Sequence, residues 1–107
     1  MATIVNDVAL VFLPREITYV PRVELNRDAN FPAVGQNLEV FGWGLTSFEP
    51  TIEFPNIIQT LTVQALTNEA CGEQWGKEIL PDVLCATIEG KGIGQGDSGT
   101  CISWAEV

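Results

Sequence analysis

The feature that most restricts the fold of this chain is a glycine-rich stretch near its end. Five of the ten residues at positions 90–99 are glycine. Glycine weakens helices and strands but readily adopts the backbone angles of tight turns, so the stretch predicts a tightly folded loop. It also matches G-x-G-x-x-G, but only eight residues follow Gly99. These are too few for the helix and the distant acidic residue of a dinucleotide site, so we expect no nucleotide cofactor.

Hydrophobic patterns elsewhere predict short strands and one helix. The continuous apolar run 8–13 is typical of a strand that is buried on both sides. Residues 57–66 alternate, which places Leu61, Val63 and Ala65 on one face of a strand. Further strands are predicted over 38–44, 83–86 and 100–104, and a helix of about two turns is predicted to begin at Thr67, which has N-cap chemistry. The pattern indicates an all-β domain over residues 1–107 with one short helix.

Charge and composition exclude several classes of function. The chain has 14 acidic and 5 basic residues and a net charge of −9, without a basic cluster that could bind nucleic acid. No apolar run approaches the ~20 residues of a membrane span, and the first residues lack the basic and apolar regions of a signal peptide. Three dispersed cysteines and no histidine do not form a metal-ligand pattern, so no metal is expected.

Five short motifs follow one another along the chain. They are Asn6-Asp7-Val8-Ala9-Leu10-Val11, Gly42-Trp43-Gly44, Gln59-Thr60-Leu61, the pair Cys71 and Cys85, and Gln95-Gly96-Asp97-Ser98-Gly99. In this order and spacing the motifs resemble those of the trypsin/chymotrypsin-like serine proteases. The resemblance extends over nearly the whole chain. It implies most of the second β-barrel and the end of the first barrel of a double-barrel fold.

The resemblance also implies roles for individual residues. Ser98 would be the acyl-forming nucleophile, and Asp7 would orient a catalytic imidazole. The backbone N–H groups of Gly96 and Ser98 would form the oxyanion hole. Asp97 would pair with an N-terminal amine made by zymogen cleavage. Gly92 would lie at the floor of the specificity pocket, where the absence of a carboxylate favours a small or apolar substrate side chain.

The cysteines carry a second implication of the resemblance. Cys71 and Cys85 are separated as in one of the family's common disulfides, although two buried thiols remain the alternative reading. A disulfide belongs to an oxidising compartment, and the family is mostly extracellular. Cys101 has no obvious partner and is expected to be buried.

One absence limits the activity that the resemblance implies. The chain contains no histidine, and the family is about twice as long, with the catalytic histidine on the first barrel. We therefore expect a serine-endopeptidase lineage that is inactive as this chain alone, with the missing N-terminal barrel as a partner and a protein or peptide as the substrate of the full-length form. The alternative is a non-catalytic, protease-like binding or decoy module.

Overall fold

The computed structural model describes residues 5–47 and 49–104. It contains the strands β1 (Asn37–Gly42), β2 (Gln59–Leu66), β3 (Cys85–Thr87) and β4 (Ile102–Trp104), with the helix α1 (Asn68–Trp75) between β2 and β3. The four strands form one sheet in the order β3-β2-β1-β4. All neighbouring pairs are antiparallel. The structure therefore confirms the expectation of a mainly β fold with one short helix.

The core lies on one face of the β1–β2 pair. Leu38 is opposite Val63 in the register, and Val40 is opposite Leu61. Leu38, Val40, Val63 and Ala65 are buried and form a single cluster. Because successive side chains in a strand point to opposite faces, the intervening residues of β2 are exposed. The predicted alternation of this strand is thus confirmed.

Helix α1 begins and ends where its sequence predicts. The side chain of Thr67 accepts a hydrogen bond from the Ala70 N–H, which satisfies one of the free donors of the first turn. Gly76 ends the helix in the left-handed conformation with a φ of 67°. Glycine adopts this conformation most easily because it has no Cβ. Gly76 therefore ends the helix after eight residues.

The other predicted elements agree within a few residues. The strand predicted over 38–44 spans Asn37–Gly42, and the strands predicted over 83–86 and 100–104 span Cys85–Thr87 and Ile102–Trp104. Residues 90–99 contain no helix or strand, as the glycine content predicts.

The predicted buried strand over residues 8–13 is wrong. This segment has no regular secondary structure. The side chains of Val8, Leu10 and Phe12 are 82%, 81% and 90% exposed. An apolar run forms a buried strand only where another strand provides hydrogen-bond partners and an apolar surface covers it. Among the described residues, no strand pairs with segment 8–13.

The cysteines give one confirmed expectation and one correction. Cys71 in α1 and Cys85 in β3 form a disulfide with their Cα atoms 6.3 Å apart. Cys101, which was expected to be buried, is exposed and not disulfide-bonded. It directly precedes β4, which lies at the edge of the sheet and pairs only with β1 among the described strands. No layer of the described chain covers the cysteine at that edge.

Within the described ranges, no helix is both long and apolar enough to cross a membrane.

Candidate active site

The glycine-rich stretch contains two successive β-turns that share Asp97. The Asp97 N–H donates to the Gly94 carbonyl at 3.1 Å, and the Thr100 N–H donates to the Asp97 carbonyl at 3.3 Å. The third residue of each turn is a glycine with positive φ, Gly96 at 97° and Gly99 at 86°. Type II turns need such a residue at this position, because a Cβ would be strained there. We call residues 94–100 the serine loop.

Ser98 is presented at the surface by this geometry. It is the second residue of the second turn, and it is exposed. Within the described chain, the backbone N–H groups of Gly96 and Ser98 donate to no other residue. The loop thus combines an accessible hydroxyl with two backbone donors that are free to bind an incoming oxygen.

Asp97 attaches the serine loop to the turn that follows β1. Its Oδ1 accepts from the Gly44 N–H at 2.7 Å, and its Oδ2 accepts from the Gly94 N–H at 2.9 Å. A backbone bond from the Leu45 N–H to the Gln95 carbonyl at 2.8 Å is the second connection between the turn and the loop, since the bond to Gly94 lies within the loop. Each carboxylate oxygen keeps a second lone pair, so these two contacts do not use the full acceptor capacity of Asp97.

The close approach of the two segments depends on glycine. A Cβ built on Gly42 or Gly44 would overlap the Asp97 carboxylate. A Cβ on Gly94 would lie 2.9 Å from the Leu45 carbonyl oxygen. Sequence analysis identified Gly42-Trp43-Gly44 and the serine loop separately but not their contact. The glycines in both motifs could have indicated this contact, since glycine permits close approach of two backbone segments.

A cavity of about 410 Å³ lies beside this contact. Its lining includes Gly42, Gly44 and Asp97 on one side and Gly92 and Ile93 on another. A Cβ added to Gly92 would meet no atom within 4 Å, so the backbone there borders open space. Gly92 and Asp97 therefore border the same opening, whereas Ser98 is not part of its lining.

Asp7 lies elsewhere on the surface. It is exposed and lines a separate depression together with Leu80, Asp82 and Val83, and Ser98 is not part of that lining. In a Ser-His-Asp triad the carboxylate acts through an imidazole and does not touch the serine. The sequence has no histidine, so these residues do not supply that imidazole.

No group of three or more histidine, cysteine, aspartate or glutamate residues in the described part of the chain could hold a metal ion. The chemistry that this site offers rests on a hydroxyl and on backbone N–H donors. These groups suit attack on a carbonyl carbon and stabilisation of the oxyanion that follows.

An exposed serine next to two free backbone N–H donors, on a loop anchored by the neighbouring aspartate, provides the groups other than a base that acyl transfer to a serine requires. Comparison with known proteins narrows the class further. The trypsin family model matches residues 1–106, and the chain belongs to that family.

Individual relatives agree with the family match. The chain is 32% identical over 96 residues to human Kallikrein-5, with 88% of this chain and 32% of that protein aligned. It is 32% identical over 101 residues to a trypsin of Sarcophaga bullata, with 91% of this chain and 40% of that protein aligned. Venom serine protease 34 of Apis mellifera is 31% identical, with 94% of this chain and 25% of that protein aligned.

A solved structure shares the fold. Neuropsin, a serine protease expressed in the limbic system of mouse brain, superposes with a TM-score of 0.61 at 30% identity. The superposition covers 68% of this chain and 33% of neuropsin. The chain thus spans about a third of neuropsin and between a quarter and two fifths of the three relatives above.

Proposed function

We propose that this chain is part of a serine endopeptidase domain in which Ser98 forms the acyl-enzyme. The observation that carries the proposal is the double turn, which exposes Ser98 next to the free N–H groups of Gly96 and Ser98. The serine hydroxyl would attack the scissile carbonyl, and the two N–H groups would stabilise the resulting oxyanion. Asp7 would orient the imidazole that takes the serine proton.

The general base comes from outside these 107 residues, because they include no histidine. A serine hydroxyl is a weak nucleophile near neutral pH without an adjacent base. Loss of one triad member lowers the rate by about 10⁴- to 10⁶-fold. A polypeptide of these residues alone would therefore not hydrolyse peptides at a useful rate, and the N-terminal barrel of the family would have to supply the base.

The substrate is a protein or peptide with a small or apolar side chain before the scissile bond. This specificity rests on Gly92, which borders the 410 Å³ cavity without contributing a carboxylate. Gly92→Asp in the natural protein would introduce a negative charge and should shift cleavage toward arginine and lysine, as a panel of peptide substrates can measure. An unchanged preference would show that Gly92 does not form the floor of the pocket.

The compartment is extracellular by lineage. The Cys71–Cys85 disulfide requires an oxidising environment in most organisms, and one relative is a venom protease. The disulfide thus supports an extracellular location.

Ser98→Ala tests the nucleophile directly. In the protein isolated at its natural length, this substitution should abolish peptide hydrolysis. Ser103→Ala, in β4 and outside the serine loop, is the matched control and should retain hydrolysis. Hydrolysis that survives Ser98→Ala would disprove the proposed role.

The absence of histidine favours one second candidate, a non-catalytic binding or decoy module. Such a module must fold without the other barrel, so a polypeptide of these residues would unfold cooperatively on heating. If the chain is instead part of an enzyme domain, the same polypeptide should show a gradual, non-cooperative transition. Differential scanning calorimetry distinguishes the two cases.

A further inference from the structure

The segments 45–47 and 53–54 form the base of a hairpin that lies against the serine loop. The Thr46 N–H donates to the Glu53 carbonyl at 2.9 Å, and the Glu53 N–H donates to the Ser47 carbonyl at 3.1 Å. The Thr46 hydroxyl also donates to the Glu53 carbonyl, at 3.2 Å. These bonds bring Phe54, the residue that follows Glu53, back to the start of the hairpin.

The hairpin fixes the orientation of one peptide group in the serine loop. The Gln95 carbonyl accepts from the Leu45 N–H at 2.8 Å. The Gln95–Gly96 peptide is trans, and the carbonyl and the N–H of a trans peptide point in opposite directions. The Gly96 N–H therefore points away from Leu45. Since this N–H is one of the two donors of the proposed oxyanion hole, the bond to Leu45 directs that donor.

The same peptide is the central one of the first β-turn, and a central peptide has two common orientations. Type I and type II turns differ at the two angles that flank it, by a rotation of about 150–170°. The φ of 97° at Gly96 corresponds to type II. Glycine is compatible with either type, so Gly96 itself does not exclude the reversed orientation. That orientation would break the bond to Leu45 and turn the Gly96 N–H away from the oxyanion.

Phe54 provides a contact that restrains Gly96 from outside the turn. A Cβ built on Gly96 would lie 3.2 Å from the Gly44 Cα and 3.6 Å from the Phe54 Cε1. Gly44 and the Phe54 ring thus fill the space where a side chain of residue 96 would stand. Because all these atoms belong to the described chain, the contact does not depend on segments outside these residues.

We propose that Phe54 is a positioning residue for the oxyanion hole, an inference that rests on the proposed protease function. Its ring holds Gly96 against Gly44 and so maintains the bond between Leu45 and Gln95. Without the ring, the two orientations of the central peptide compete, and fewer molecules have a complete oxyanion hole. Phe54 acts through Gly96 and not on the substrate.

Phe54→Ala in the protein at its natural length should lower kcat for peptide hydrolysis about tenfold, which is part of the about 10²- to 10³-fold cost of losing one oxyanion donor. KM should not change, because the oxyanion exists only after the carbonyl has been attacked. Phe54→Tyr keeps the ring and should retain kcat. Ile52→Ala is the matched control, since it removes an apolar side chain that is 69% exposed in the same hairpin, and it should also retain kcat.

A pair of inhibitors separates the oxyanion hole from peptide binding in general. The Ser98 Oγ adds to the carbonyl carbon of a peptide aldehyde, the π electrons move to the carbonyl oxygen, and the serine proton passes to the base. The matching peptide alcohol has no carbonyl and binds without this step. Phe54→Ala should weaken inhibition by the aldehyde about tenfold, because only the adduct uses the oxyanion hole, and should leave inhibition by the alcohol unchanged.

Equal weakening of both inhibitors, an unchanged kcat in Phe54→Ala, or the same loss of kcat in Ile52→Ala would overturn the proposal. If the alanine variant does not fold, Phe54→Leu gives the same comparison, because it lacks the ring but keeps an apolar side chain, and a smaller loss of kcat is expected. If the unsubstituted protein hydrolysed no peptide, the proposed function would fail and this inference with it. Hydrolysis that requires Ser98 but not Phe54 would contradict this inference alone.

Discussion

At the scale of single residues, the position of Ser98 depends on glycines that have no Cβ atom. The Asp97 carboxylate accepts from the Gly44 N–H at 2.7 Å because no Cβ stands in its path. The same holds at Gly94, which packs against the Leu45 carbonyl. The loop is thus positioned by backbone donors and by close contact, and a single added methyl group is enough to disturb it.

Gly44→Ala should destabilise the protein by about 1–3 kcal/mol, because the new Cβ would overlap the Asp97 carboxylate and force the loop to move. Thermal denaturation of the natural-length protein measures the change. Gly92→Ala is the matched control, since a Cβ there meets nothing within 4 Å, and it should leave the melting temperature nearly unchanged. Equal melting temperatures for the two variants would contradict the proposed contact.

At the scale of elements, local chemistry made several of them predictable. The alternation of β2 and the cap at Thr67 lie within short segments, so the sequence alone identified them. The contact between Gly42-Trp43-Gly44 and the serine loop could not be read in the same way. It joins residues 53 positions apart, and no local pattern specifies which loop meets which turn.

Thr67→Ala should lower the free energy of unfolding by about 1 kcal/mol, because the Ala70 N–H loses its acceptor. Chemical denaturation measures this change, provided that the m-value, the dependence of the unfolding free energy on denaturant concentration, is the same for both proteins. Thr67→Ser keeps the hydroxyl and should lose little. If the serine and alanine variants were equally destabilised, the hydroxyl would not be the group that matters.

The disulfide between α1 and β3 supports a larger prediction. Replacing both Cys71 and Cys85 with serine should cost about 3 kcal/mol in the chain-entropy model, since the bond closes a loop with a sequence separation of 14. Cys101→Ser is the control, and the exposure of that residue predicts a change within about 0.5 kcal/mol. A double variant as stable as the control would contradict a stabilising role for the bond.

At the scale of the whole molecule, the chain buries too little surface for its size. Its accessible surface is 9771 Å², whereas a folded monomer of 11.6 kDa exposes about 5,800 Å². The radius of gyration is 15.8 Å, compared with about 13 Å for a compact chain of 107 residues. Much of the excess is apolar, including the segment 8–13. This is why the buried strand predicted there was wrong: the pattern indicates burial but does not supply the surface that covers it.

The exposure of this segment predicts that it is cut before the sheet in an isolated polypeptide of these residues. Brief digestion with chymotrypsin should cleave within residues 8–13 before it cleaves β1, because Phe12 is 90% exposed and β1 is hydrogen-bonded on both sides. Mass spectrometry of the early fragments identifies the site. Initial cleavage within β1 would show that the sheet, and not the N-terminal segment, is the less protected part.

The central claim is that Ser98 is a protease nucleophile whose base lies outside these residues. The most direct test is to label the protein from its natural source with a fluorophosphonate, map the modified residue and determine the intact mass of the labelled polypeptide. We predict a label on Ser98 in a chain well above 11.6 kDa that contains a histidine. A label on Ser98 in an 11.6 kDa chain of this sequence alone would contradict the claim.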